Sequence, residues 1–548
     1  MKSMKKRHVV VVLIAAMLMQ LLTGCSLGKA TVGNEGADGS VGSDVLQIGV
    51  VAKGYGDEFL RQLAKAYETK TGVKTELVKS TAQENSIRAS LQAGPKNNDL
   101  DVIFDIWNTP MNALATANYV PGYERCFATL SDIYDKVPEG WSEGKTLKEL
   151  TMPYAMKACT WGGEKAGYGD GNQYFVCYAM GVEGLIYNVA LFEQYGLQEP
   201  KTTNEFFALL DKMKTLDKGS YPKNDDGRDI YPYVYSGKVD YSNYLATAWW
   251  AQYDGVDNFN LALEGKDANG NYTADSQKSI GKLSAITHVS RLLNQKNGYS
   301  DPLNYSNTFT NAQLLFLDNQ AFMMSTGEWV EREMEGNFKG ESLNIAFMRI
   351  PVNSDIIMQC ESVKTEAQLV ETIAYIDGDI AERPAYLSDA DLERLIEARS
   401  VYCSEGNQHI AYIPVYSNKV EEAKDFLLFA MSKEGQEIML KHCYGNLSTL
   451  DTDTTQLAGY DTLSTLQKSK YEMLVSNVGL SLVGNCYSHP MAYIGGIKAF
   501  YNSPTLETAF GVVETSSSYK TPEAVWQQQY ENVAVGWSSA MQKAGVSN

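Results

Sequence analysis

The residues best equipped to hold a ligand are indoles and phenols that stand beside carboxylates or amides where apolar runs end. Asp105, Trp107 and Asn108 close the run DVIFDIW at 101–107. Glu328 and Trp329 follow a second run, 321–325, across Gly327. Tyr55 lies in the turn after a third run, 45–52. Trp161 flanks Gly162 and Gly163, and Trp249, Trp250 and Tyr253 fall in an aromatic segment at 241–253. Flat apolar faces with a polar edge suit a site that stacks on a ligand and hydrogen-bonds its rim. With 34 Tyr, 8 Trp and 17 Phe in the chain, most such rings must serve packing instead. A carboxylate at a strand end also has a structural use, capping the next helix.

The elements that would position these groups read as alternating strands and helices. Residues 45–52 (VLQIGVVA) form a buried strand, 57–71 an amphipathic helix stopped by Gly72, and 73–79 a second strand. A short helix at 84–92 and a strand at 101–107 complete a β-α-β-α-β order. That order predicts a mainly parallel sheet with helices on its faces, and such sheets bind ligands beyond the carboxyl ends of their strands. The glycines of 162–171 lack the Lys-Ser/Thr ending of a phosphate loop and sit between two aromatic strands, so a hairpin is expected there. Further on, 184–187 reads as strand, and 189–195, 204–216, 241–253, 276–295 and 309–317 as helices. Strands are expected at 321–325 and 345–350, and helices at 420–432, 434–441 and 521–544. Residues 354–400 interrupt this scheme as an insertion or an elaborated crossover.

At 548 residues the chain exceeds a single core, so two or more domains are expected. The net charge is −19, and without residues 1–24, which carry Lys2, Lys5, Lys6 and Arg7 and no acid, it is −23. Binding nucleic acid through net charge is thereby excluded. Of five histidines, His8, His288, His409, His442 and His489, none sits in a metal-ligand spacing, and no metal or cofactor is expected. Asp267 to Asn271 is a little like a calcium loop, but Gly270 is off the required position and a solvated turn is expected. Apart from Cys25 there are seven cysteines, an odd number, with no CxxC spacing; Cys159 and Cys177 flank the glycine-rich loop and could face each other. Glycan hydrolysis or lysis would need two carboxylates across a cleft. No compact acid motif marks such a pair, so an extracellular glycan-acting enzyme stays as the alternative.

The first 24 residues have a basic start and a short apolar run, 9–22, the pattern of an export signal rather than of a spanning helix. The segment LTGC (22–25) resembles a bacterial lipobox, which implies cleavage before Cys25 and a lipid on its thiol. Residues 25–44, rich in Gly, Ser and Ala, read as a flexible tether.

Four blocks give the chain a family resemblance. They are the lipobox with its tether; GLIYN (184–188) with Leu191, Phe192, Gly196, Leu197, Pro200 and Thr202; NQAFM (319–323) through Gly327, Glu328 and Trp329; and Ile413-Pro414 followed by EEAKDF (421–426) and SKEGQ (432–436). In this order they resemble the extracellular solute-binding proteins of ABC importers, the family that includes maltodextrin-binding proteins. The length, the 354–400 segment and Gln320 depart from the pattern. The resemblance implies two hinged α/β lobes with a ligand cleft between them, one holding 45–155 plus 401–450 and the other 156–353 plus 451–548. It implies a non-catalytic, monomeric protein, lipid-anchored through Cys25 on the extracytoplasmic face of the cell membrane. Its partners would be a carbohydrate, captured by stacking aromatics and hydrogen-bonding carboxylates, and the transmembrane subunits of an ABC permease. A sensor lipoprotein that presents its ligand to a membrane kinase fits the same pattern. Tyr55, Asp105, Trp107, Asn108, Trp161, Trp249, Trp250, Tyr253, Glu328 and Trp329 are the candidate ligand contacts.

Overall fold

Apolar runs of the VLQIGVV type, buried on both faces, make the central strands of two separate sheets. In chain order the strands are β1 (Val45–Val51), β2 (Lys74–Ser80), β3 (Val102–Asp105), β4 (Thr160–Gly163), β5 (Tyr168–Gln173), β6 (Val176–Met180), β7 (Glu183–Asn188), β8 (Tyr231–Val234), β9 (Ala321–Gly327), β10 (Ile345–Met348), β11 (Val401–Cys403), β12 (Gln408–Tyr412) and β13 (Ser481–Val483). The computed structural model describes residues 44–51, 55–80, 94, 99–105, 120, 122–141, 144–337, 343–404, 408–443, 447–484, 489–493, 496–500 and 504–548. The expected export signal, Cys25, the tether up to residue 43, the helix at 84–92, Trp107 and Asn108 lie outside them. No described helix is long and apolar enough to cross a membrane.

The first sheet has the order β2-β1-β3-β12-β6. Strands β1, β2 and β3 run parallel, as the β-α-β-α-β order predicts, with Val45 opposite Lys74 and Ile48 opposite Val102. The helix Glu58–Thr71 connects β1 to β2, buries Phe59, Leu60, Leu63, Ala64 and Tyr67, and ends at Gly72 in the left-handed conformation (φ 78°). The sheet is completed by two strands from elsewhere in the chain: β12 pairs antiparallel with β3 and with β6.

The second sheet has the order β13-β11-β7-β9-β8, with β10 paired to β7. The chain passes from the first sheet to the second between β6 and β7, returns between β11 and β12, and crosses again between β12 and β13. Strand β6 belongs to the first sheet and β11 to the second, because pairings such as His409 with Ala179 join residues far apart in sequence.

Helix expectations hold within a few residues, and several ends have identifiable caps. Thr202 caps Thr203–Met213, Ser279 caps Ile280–Leu293 and Ser432 caps Lys433–His442, each side chain accepting a backbone N–H. The helix Asn243–Asp254 is buried on every face, eleven of its twelve residues being enclosed. It packs against Ile280–Leu293 and β11.

Residues 354–400 form two helices, Glu366–Asp377 and Asp389–Ser400. They have a small core of their own that includes Ile356, Leu369, Ile373 and Leu395. Arg399 fixes their relative position with two bonds to the Asp377 carboxylate, both 2.9 Å. The glycine-rich segment is the expected hairpin, β4 pairing antiparallel with β5. In the turn at 267–271, Asp267 Oδ1 accepts from the N–H groups of Asn269 and Asn271, both at 2.9 Å.

Candidate functional site

The turn after β1, the end of β9, the passage from β6 to β7, strand β12 and the helix Thr465–Val475 bring their polar groups together. Tyr55, from the first of these, donates its hydroxyl to Glu328 Oε1 at 2.8 Å, joining residues 273 positions apart. The other Glu328 oxygen accepts the Val182 N–H at 2.6 Å, in the passage between the two sheets. In return Glu328 N–H donates to the Val182 carbonyl at 3.2 Å. One carboxylate thus connects the turn after β1, the passage and the end of β9.

Aromatic rings surround this carboxylate. The Trp329 indole meets Tyr55, Tyr241 and Tyr244 edge-on, with centroids 6.5, 6.0 and 6.5 Å away. It lies back over Gly327 of its own strand, where any side chain would collide with the six-membered ring. On the other side Tyr55 meets His409 at 4.5 Å, and His409 meets Tyr178 at 5.6 Å. Tyr55, Tyr178, Glu328, Trp329 and His409 are all buried.

Burial sets the electrostatics. It pushes the Glu328 carboxyl above the usual carboxylate range, against the pull of the Lys470 charge and the bonds from Val182 and Tyr55. Burial likewise pushes the Lys470 ammonium below its usual value, opposed by Glu328 and Glu331. His409 is lowered to about 3 by burial and by the nearby Lys470 charge, so its ring is neutral at physiological pH. Among the described residues the buried Lys470 Nζ and His409 Nε2 atoms have no hydrogen-bond partner. An unsatisfied buried donor is costly, so both are suited to meet the hydroxyls or oxygens of a bound polar molecule.

Of the candidate contacts, Tyr55, Glu328 and Trp329 come together here. Asp105, at the end of β3, is buried and accepts the Tyr412 hydroxyl at 3.1 Å, while its carbonyl accepts from Tyr178 at 3.3 Å. Trp161 belongs to the β4–β5 hairpin and meets Tyr168 edge-on at 5.4 Å; Tyr168 in turn meets His489 at 4.8 Å.

Trp249 and Trp250 are corrections. Both are 0% exposed and are core residues. Trp249 Nε1 donates to the Pro351 carbonyl at 3.1 Å and its ring meets Phe206 and His288. Trp250 Nε1 donates to Asp254 Oδ2 at 2.6 Å and its ring packs on Phe259 and Phe500. Their helix has no solvent face, so neither indole is free to stack on a ligand. Tyr253 ends the same helix, its carbonyl accepting from Arg394 Nη2 at 2.7 Å and its ring lying against Gly281.

Sequence reasoning missed Lys470, His409, Tyr178, Tyr241 and Tyr244. Lys470 carried a local signal: four residues after Leu466 and beside Tyr471, it falls on the buried face of its helix. The i, i+3 spacing of Tyr241 and Tyr244 was a second.

Two α/β halves, each with its own sheet, connected by three crossings of the chain and meeting at a polar and aromatic cluster, define the two-lobe architecture of periplasmic binding proteins. Solved structures share it. The chain aligns with the bacterial solute receptor AcbH, which has an exclusive substrate preference for β-D-galactopyranose, at 14% identity and a TM-score of 0.56, covering 90% of this chain and 99% of that one. It aligns with maltose-bound MalE3 of T. maritima at 13% identity and TM-score 0.53, covering 90% and 99%. With the apo form of RafE from Streptococcus pneumoniae the values are 14% identity, TM-score 0.56, and 92% and 100% coverage. At these identities the likeness establishes the fold. No curated protein sequence matches the chain. The family model for bacterial extracellular solute-binding proteins matches residues 62–458, well over half of the length, and the chain belongs to that family.

Proposed function

We propose that the protein captures a carbohydrate, an oligosaccharide in particular, between its two halves and delivers it to the membrane subunits of an ABC permease without chemically altering it. In this reading it is a monomer, anchored outside the membrane by lipid on Cys25. The first lobe is built on the β2-β1-β3-β12-β6 sheet and the second on the β13-β11-β7-β9-β8 sheet.

The observation that carries the reading is the Tyr55–Glu328–Trp329 cluster at the meeting of the two sheets. A sugar ring offers flat C–H faces and a rim of hydroxyls. Trp329, Tyr55, Tyr241 and Tyr244 supply aromatic surface for the faces. Glu328, Lys470 and His409 supply acceptors and donors for the rim. The unpartnered Lys470 Nζ and His409 Nε2 favour a hydroxylated guest over an apolar one. Structural neighbours support the same class: RafE has been solved in complex with raffinose, and the Listeria monocytogenes protein Lmo0181 in complex with cycloalternan. Hinged closure of the lobes would enclose the guest.

A thermal-shift screen of the mature protein against mono- and oligosaccharides, with amino acids, short peptides and divalent metals as controls, tests this. A ligand that binds only the folded state raises the melting temperature by mass action. The expected outcome is a dose-dependent rise with at least one saccharide. A rise with a control class and none with any saccharide would replace the carbohydrate reading.

A further inference from the structure

Two cysteines that the binding site does not use lie side by side. Cys159 ends the helix Pro153–Cys159, and Cys177 is the second residue of β6. Their side chains are buried, 0% and 1% exposed. The Cys177 N–H donates to Cys159 Sγ at 3.1 Å, while the Cys177 thiol donates to the Ala179 carbonyl at 3.3 Å. Since an N–Cα bond is about 1.5 Å, Cys177 Cα lies no more than about 4.6 Å from that sulfur. The backbone holds the two positions together as well: Tyr174 N–H donates to the Cys159 carbonyl at 3.2 Å, and Thr160 pairs with Gln173 across the hairpin. Disulfides need neighbouring Cα atoms with side chains that converge; the Cys159 sulfur already lies against the Cys177 backbone, and a turn of the Cys177 thiol away from Ala179 would bring the sulfurs together.

We propose that Cys159 and Cys177 form a disulfide in the exported protein, bracing the root of the passage between the two sheets. Proteins of an extracellular family meet an oxidising medium after export. The co-reactant is an external disulfide of the oxidised-glutathione type. One cysteine thiolate attacks it, forming a mixed disulfide and releasing one small thiol. The second thiolate then displaces the other small thiol as the Cys159–Cys177 bond forms. In sum the two protein thiols lose two electrons and two protons, and the external disulfide is reduced to two thiols. Because the folded pair is closed to solvent, this exchange belongs to folding after export.

The bond would close a loop over residues 160–176, which contains the glycine-rich hairpin. It would also tie the end of the helix to β6, three residues before the chain leaves the first sheet at Met180. Cross-linking two chain positions limits the unfolded state and raises stability. The bridge would therefore keep the first-sheet end of the passage fixed while the rest of the molecule moves.

The test is peptide mapping of the full protein, exported through its own leader and purified without reductant. It is unfolded in iodoacetamide, digested and weighed, in parallel with a sample refolded in oxidised glutathione. The expected result is a joined peptide pair containing Cys159 and Cys177, lighter by two hydrogens than the separate peptides and resolved into two alkylated peptides after reduction. Separate alkylation of both residues in both samples, or bridging of either one to a different cysteine, would overturn the proposal. A reductant should lower the melting temperature of the bridged protein but not that of a Cys159→Ser/Cys177→Ser variant. A bridged protein whose melting a reductant leaves unchanged would overturn the bracing role. If the double variant does not fold, peptide mapping of the natural sequence decides alone.

Discussion

His409 offers the sharpest physical test of the interface, because its surroundings turn pH into stability. It lies in β12 against Tyr55 and Tyr178, buried, with Nε2 unpartnered. Burial and the Lys470 charge lower it to about 3 from an ordinary value of 6.5. Below pH 6.5 the unfolded chain gains a proton at this ring that the folded chain refuses until about pH 3. The associated stability is present in full above 6.5 and is lost progressively as pH falls. At pH 5, about 1.5 pH units below the unfolded value, the loss is about 2 kcal/mol. Glu328 and Glu507, both raised by burial, act in the opposite sense as pH falls, so the whole-protein curve is not diagnostic. The difference between the natural protein and His409→Gln is. In urea unfolding at pH 7.5 and pH 5.0, the stability of the natural protein relative to the variant should fall by about 2 kcal/mol at the lower pH. A difference that is the same at both pH values would refute a buried, neutral His409 between Tyr55 and Tyr178.

Three further outcomes follow from the same geometry. Tyr55→Phe removes the donor to Glu328 Oε1 and should cost about 1–3 kcal/mol in urea unfolding, since it leaves a buried carboxyl oxygen unsatisfied; no loss would mean that the bond does not connect the two sheets in solution. Trp249→Ala should cost about 3–5 kcal/mol by opening a core cavity, measured the same way; a near-neutral result joined to a loss of ligand affinity would restore Trp249 as a contact. Arg399→Met strands the Asp377 carboxylate and should cost about 3 kcal/mol, with limited proteolysis beginning in 354–400; unchanged cleavage would mean that Lys201 suffices to hold Asp377.

The parts of the fold that were readable are those fixed by local pattern. The run at 45–52, the amphipathic helix after it and its Gly72 stop define a β-α-β unit without outside help, and β1 and β2 pair as that unit requires. The 354–400 segment was readable as an interruption because it builds its own small core. Strand β12 falls in the segment expected beside the first strands, whereas β6 joins that sheet through pairings with β12 more than two hundred residues away, which no local pattern encodes.

The site divides along the same line. Tyr55, Glu328 and Trp329 each follow a strand end, a position legible in the sequence, and the structure brings the three into contact. Trp249 and Trp250 were misjudged because aromatic content was weighed above periodicity. The segment NYLATAWWAQYD has no charged residue before its last position, and a helix without a polar face is a core helix. Lys470 and His409 enter the site through long-range packing, so nothing adjacent to them in sequence pointed to a ligand.

The account stands or falls on whether a guest sits against Trp329 where the two sheets meet. Titration calorimetry, using a saccharide that raises the melting temperature, should compare the natural protein with Trp329→Ala. Losing the stacked indole face should weaken binding by about 1–3 kcal/mol, about 5- to 150-fold in Kd, with the circular dichroism spectrum unchanged. Equal affinity in the two proteins, with the variant folded, would contradict it.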